Sequence, residues 1–85
     1  MRIIVNPAAA GGRLGREWPG VERRLGDLGL GADVVFTEAP WHAVELAEQA
    51  VRGGVETVIA AGGDGTACEV VMGIHRGGGG RFAML

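Results

Sequence analysis

The chain has 85 residues, 47% of them hydrophobic, with ten anionic and eight cationic side chains and a formal net charge of −2. One small domain fits that length; the apolar content excludes a disordered chain, and no stretch approaches the roughly 18–20 apolar residues of a membrane span. All eight cations are arginines with no basic block, which argues against a general nucleic-acid binder, and the absence of lysine removes a P-loop.

Arg2 to Val5 reads as a first strand, apolar enough to be buried on both faces. Asn6-Pro7 ends it, because proline forces its predecessor toward extended geometry and cannot join a central ladder. Ala8 to Gly15 is expected to be a loop. A helix is expected from about Arg16 to Leu28, with Trp18, Val21, Leu25 and Leu28 on its inner face. Pro19 fits there only within the first turn. Gly29 and Gly31 close it. Ala32 to Phe36 is a second strand, ended at Thr37. A second helix runs from near Pro40 to about Arg52, with Val44, Ala47 and Val51 inward, and Gly53-Gly54 stop it. Glu56 to Ala61 is a third strand. In the third helix Thr66 is expected as N-cap, with Glu69 completing a capping box and Gly77 at the far end. Arg81 to Leu85 reads as a fourth strand. The expected fold class is α/β: a doubly wound, mainly parallel sheet of about four strands with three helices, in the order β-α-β-α-β-α-β.

The most informative segment is Gly62-Gly63-Asp64-Gly65-Thr66-Ala67-Cys68, lying between the third strand and the third helix. Glycine allows the backbone close to an anion, and the first turn of a helix presents unpaired N–H groups at the positive end of its dipole. A phosphate site follows in principle. The Asp64 carboxylate would repel a bare phosphate, so its role there is to hold a metal ion or accept a proton. In a parallel sheet, ligands bind at the carboxyl ends of the strands. Asn6, Thr37 and Gly62–Thr66 follow three successive strands and are expected to converge there.

Other motifs have plainer readings. Ala10 to Gly15 loosely matches a dinucleotide-binding G-x-G-x-x-G, with Glu38 downstream, but its glycines begin after Pro7 rather than in the turn at the strand end. His42 is expected in a surface or capping role and His75 as a dipole-favoured side chain at a helix end. Trp18 and Trp41 are expected to pack rather than stack on bases, since no basic residues interleave with them. Cys68 is the single cysteine, which suits a reducing compartment, and no signal-peptide pattern opens the chain. The expected location is the cytoplasm.

Gly62-Gly63-Asp64-Gly65-Thr66, followed by Glu69-Val70-Val71 and Gly73, resembles the nucleotide-binding signature of the diacylglycerol kinase and sphingosine kinase superfamily. Asn6-Pro7 with Gly11-Gly12 resembles that family's opening motif, and Thr37 with His42-Ala43 its third. The resemblance spans nearly the whole chain. It implies transfer of the ATP γ-phosphoryl group to a lipid hydroxyl, with Mg²⁺. By that similarity Asn6, Thr37, Gly62, Gly63, Asp64, Gly65, Thr66, Ala67, Cys68 and Glu69 would line the ATP site. Asp64 would serve the metal or take the substrate proton. The family usually carries Asn where this chain has Cys68 and Met72.

Members of the family continue into a Pro-x-Gly-Thr-x-Asn-Asp motif and a second, β-rich domain that supplies much of the lipid pocket. Residues 1–85 are therefore expected to be the amino-terminal α/β nucleotide-binding domain of a lipid kinase, incomplete without that second domain and inactive in isolation. Contact with a lipid acceptor and with a membrane surface is expected of the complete protein only. Two other readings stay open. One is a non-catalytic nucleotide-binding fragment that self-associates through an open sheet edge at Arg81–Leu85. The other is an NAD-kinase-like enzyme, because NAD kinases share the glycine motif.

Overall fold

The computed structural model describes residues 1–85 and places four strands and three helices in the expected order. The strands are β1 (Arg2–Val5), β2 (Asp33–Phe36), β3 (Thr57–Ala61) and β4 (Arg81–Met84). The helices are α1 (Arg13–Asp27), α2 (His42–Arg52) and α3 (Asp64–Arg76). All strand pairs are parallel, in the order β2-β1-β3-β4. The chain winds outward from β1 to β2, then returns past it to β3 and on to β4. The reversal therefore falls between β1 and β3, the position at which open α/β sheets form a ligand crevice beyond their strand ends.

Strand alternation gives the sheet two cores. Ile4, Val58 and Ala60 face α2 and α3, meeting Ala43, Ala47, Ala50, Val70 and Ile74. Ile3, Val5 and Ala61 face α1 and surround Trp18. β1 is buried on both sides, as its continuous apolar run demands. β4 is different: all four of its residues are exposed, Phe82 and Met84 among them. No helix is long and apolar enough to cross a membrane.

Each helix ends in the same way. The residue two beyond its last turn returns an N–H to a helical carbonyl (Leu30 to Leu25, Val55 to Ala50, Gly79 to Ile74), and the intervening Gly29, Gly54 and Gly78 have positive φ. These are Schellman closures, and they explain the glycine at each of these three positions.

Three local expectations need correction. α1 starts three residues earlier than expected, so Pro19 lies inside it rather than in its first turn. An interior proline costs about 3 kcal/mol. The face formed by Leu14, Trp18, Val21 and Leu25 outweighs this, each side chain contributing roughly 1.5–3 kcal/mol in proportion to its burial. Leu28 is not on that face; it caps the helix and is exposed. Trp18 is core, with its ring edge-on to Phe36 at 6.3 Å between centroids. Its indole N–H has no partner. Trp41 lies mostly outside the packing: 66% of it is exposed.

Candidate active site

Asn6 is the hub of the site. Its carbonyl oxygen accepts the Ala8 N–H at 3.1 Å, an Asx turn that directs the chain out of β1. The same oxygen accepts the Thr37 hydroxyl at 3.4 Å, joining the end of β2. Its amide nitrogen donates to the Thr66 hydroxyl at 3.3 Å, joining the first turn of α3. One side chain thus ties three strand ends separated by 31 and 60 positions in sequence. Two donors remain uncommitted. Asn6 retains a second N–H, and Thr66, having accepted, retains its hydroxyl proton. Both are available to an acceptor in the cleft.

The expected capping box does not form. α3 begins at Asp64 with Gly63 as its N-cap, and no side chain caps it. Thr66 is the third helical residue, 5% exposed, and its hydroxyl is engaged by Asn6 instead. Gly62 allows this close approach: a Cβ there would stand 2.6 Å from the Thr66 Oγ1. The first backbone bond into this turn is from the Ala67 N–H to the Gly63 carbonyl, at 3.1 Å. The amides of Gly62, Gly63, Asp64, Gly65 and Thr66 therefore find no backbone acceptor. Five free donors at a helix N-terminus form a cradle for an anion.

A cleft of about 490 Å³ opens beside this hub. It is lined by Asn6, Thr37, Thr66 and Glu69 from the expected set, and by Pro7, Ala8, Glu38, Ala39, Pro40 and Ala43. Gly62 and Gly63 line a neighbouring depression of about 280 Å³ with Arg13, its one cation. Asp64, Gly65 and Cys68 are exposed on the first turns of α3, and Ala67 is packed against the core there. Neither Asp64 nor Glu69 is in an ion pair. No group of three or more His, Cys, Asp or Glu residues is close enough to hold a metal by itself. A cation at Asp64 would need ligand oxygens to complete its shell, which suits Mg²⁺ carried by phosphates.

Residues 1–84 match the diacylglycerol kinase catalytic domain. The chain belongs to that family. It is 40% identical over 73 residues to the diacylglycerol kinase of Staphylococcus aureus strain MRSA252, a match covering 86% of this chain and 23% of the relative. The diacylglycerol kinase of Staphylococcus haemolyticus is equally similar, with 22% of its length covered. The chain therefore spans about a quarter of the curated relatives it matches. A solved structure of a candidate diacylglycerol kinase from Bacillus anthracis str. Sterne superimposes on 98% of this chain and 30% of its own, with a TM-score of 0.81 at 24% identity. That likeness establishes the fold.

In this diacylglycerol kinase-family domain the segment after β2 contributes more than sequence reasoning assigned to it. Thr37 does not cap α2; the N-cap is Trp41, without a side-chain bond. His42 does not cap α2 either: its Nδ1 accepts the N–H of Glu38, outside the helix, at 2.9 Å, folding Glu38–Pro40 into the wall of the cleft. The signal for that wall was the position of Glu38–Pro40 directly beyond a strand end, where the crevice of a parallel sheet lies.

Proposed function

We propose that this chain is the nucleotide-holding part of a lipid kinase whose complete form transfers the ATP γ-phosphoryl group to a lipid hydroxyl. The observation that carries the proposal is the Thr37–Asn6–Thr66 tie set against the five free amides of Gly62–Thr66. Phosphoryl transfer needs mainly positioning and charge neutralisation, and a pre-formed row of N–H donors supplies both. In this reading the phosphates lie along Gly62–Thr66, with Asn6 and Thr66 donating from the β1 side. Asp64 holds Mg²⁺ together with the phosphate oxygens. Glu69 closes the cleft as a further carboxylate. The lipid pocket is assigned to sequence that the longer relatives carry outside the matched region, and the 85-residue chain is expected to show no turnover. Phosphorylation of diacylglycerol by it with Mg-ATP would overturn that assignment.

Calorimetric titration with ATP tests the site directly. The parent is expected to bind ATP more tightly with Mg²⁺ than without it. Asp64→Asn should remove that gain, about tenfold for one lost charge contact, while metal-free ATP binds at least as well because a repulsive carboxylate is gone. An unchanged Mg²⁺ dependence would strike Asp64 from the metal role. A parent that binds neither ATP nor tripolyphosphate would sink the site reading itself.

One observation supports a second property. The outer edge of β4 is unpaired and its residues are exposed, so the isolated chain is expected to self-associate through it. Light scattering that showed a strict monomer at high concentration would contradict this.

A further inference from the structure

Trp41 occupies a backbone conformation that its side chain disfavours. It is the N-cap of α2 with φ 70 and ψ −6, one of two non-glycine residues with positive φ. For a bulky residue this left-handed geometry is strained, and glycine or asparagine would adopt it more easily. Burial within the chain does not compensate, because the residue is 66% exposed. Strain of this kind concentrates at ligand sites, where the side chain has another task.

Its location indicates the task. Trp41 lines a depression of about 290 Å³ with Glu38, Ala39, Pro40, His42 and Glu45. Glu38, Ala39 and Pro40 are also the wall of the 490 Å³ cleft, so the two are contiguous. On its other side Trp41 borders a groove with Val44 and Met72 that shares no residue with the cleft. The depression contains two carboxylates and no Lys or Arg. The 490 Å³ cleft carries two carboxylates as well, but this depression has none of the free amides of Gly62–Thr66 to offset them, so it disfavours phosphate. It suits a flat, uncharged group with N–H donors, which an aromatic face can stack upon and a carboxylate can accept from.

We propose that this depression is the base subsite of the nucleotide, with Trp41 as its stacking platform and Glu38 or Glu45 accepting from the exocyclic amino group. This rests on the reading of the cleft as a nucleotide site. It also reverses the expectation, drawn from the absence of interleaved basic residues, that Trp41 only packs. In this site the phosphates are held by backbone amides of α3, so the stacking residue needs no cation beside it.

The experiment compares ATP with tripolyphosphate, which carries the phosphates without the base, on the 85-residue chain and its Trp41→Gly and Trp41→Phe variants. One stacked base is worth about tenfold in affinity or somewhat more. Trp41→Gly should therefore weaken ATP about tenfold, leave tripolyphosphate unchanged, and keep Tm at or above the parent's because the strain is gone. Trp41→Phe should retain most of the ATP affinity. Equal ATP affinity in the parent and Trp41→Gly overturns the proposal while leaving the phosphate site standing, and so does a parent that binds ATP no better than tripolyphosphate. Loss of both ligands in Trp41→Gly also overturns it, since the effect would not be specific to the base. Phosphatidylcholine vesicles form the last arm: vesicle binding that depends on Trp41, with ATP affinity unaffected, would make it a lipid-surface contact instead. If the parent binds neither ATP nor tripolyphosphate, the nucleotide reading falls and this proposal with it.

Discussion

Replacing Gly73 by alanine is expected to cost about 3 kcal/mol of folding stability, the upper end of what overpacking exacts. Gly73 is buried where α3 crosses α2. A Cβ there would collide with the Val44 carbonyl oxygen and stand 2.6 Å from the Ala47 Cβ and 3.0 Å from the Glu48 nitrogen. Two of those three neighbours are backbone atoms of a helix, which cannot swing aside as the end of a long side chain could. Gly77, one turn on, meets Val51 in the same way, with 2.8 Å to its Cβ. The two glycines form a groove into which α2 settles, so relief requires that the helices separate. Separation would open the cluster of Ala43, Ala47, Ala50, Val70 and Ile74 on that face of the sheet.

A domain of this size has only about 4–13 kcal/mol in total. The substitution should therefore lower Tm by more than about 12 °C and reduce the urea midpoint at an unchanged m-value. Gly20→Ala is the control. Gly20 lies in α1, and a methyl group there would meet nothing within 4 Å, so that change should stabilise by about 0.5–1 kcal/mol. A Gly73→Ala variant as stable as the parent would show that α2 and α3 do not pack this closely.

The parallel order of the strands and the convergence of Asn6, Thr37 and the glycine loop were legible in the sequence for a simple reason. Once the elements alternate, topology alone carries successive strand ends to one side of the sheet. β1 begins and ends where its apolar run and Asn6-Pro7 place it. What the sequence did not reveal are features decided by partners far along the chain. Thr66 and Glu69 have the spacing of a capping box, yet the Thr66 hydroxyl goes to Asn6, 60 positions away, and the helix begins at Asp64. No local rule contains that competition. The position of Pro19 escapes local rules for a related reason: the tertiary burial of Trp18 overrides a local penalty. Trp41 shows the converse. Its residue type suggests packing, but the left-handed turn before α2 points the chain so that the residue stays exposed.

Asn6→Asp is expected to separate the structural role of the hub from its electrostatic one. The carboxylate keeps an oxygen for the Ala8 N–H and the Thr37 hydroxyl, which now donate to Asn6 at 3.1 and 3.4 Å. The bond lost is the amide donation to Thr66. The Thr66 hydroxyl can reverse that bond by donating its own proton to the second carboxylate oxygen. The tie between strand ends therefore survives, and the stability loss should stay below about 1 kcal/mol. Binding should suffer far more. A negative charge replaces an N–H donor beside the proposed phosphate cradle, and two unit charges at about 4 Å repel by roughly 4 kcal/mol at an effective dielectric of 20. Even with screening, ATP affinity should fall at least about 100-fold, which is roughly 2.7 kcal/mol. Asn6→Leu gives the opposite balance: it strands the buried Thr66 hydroxyl and should cost about 2–3 kcal/mol of stability. If Asn6→Asp instead binds ATP like the parent while remaining folded, no phosphate lies near Asn6 and the cradle must face elsewhere. The physical choice at this position is narrow. Asparagine is a residue of this size that can accept from its own loop and from the end of β2, donate to the first turn of α3, and still present a donor rather than a charge to an anion.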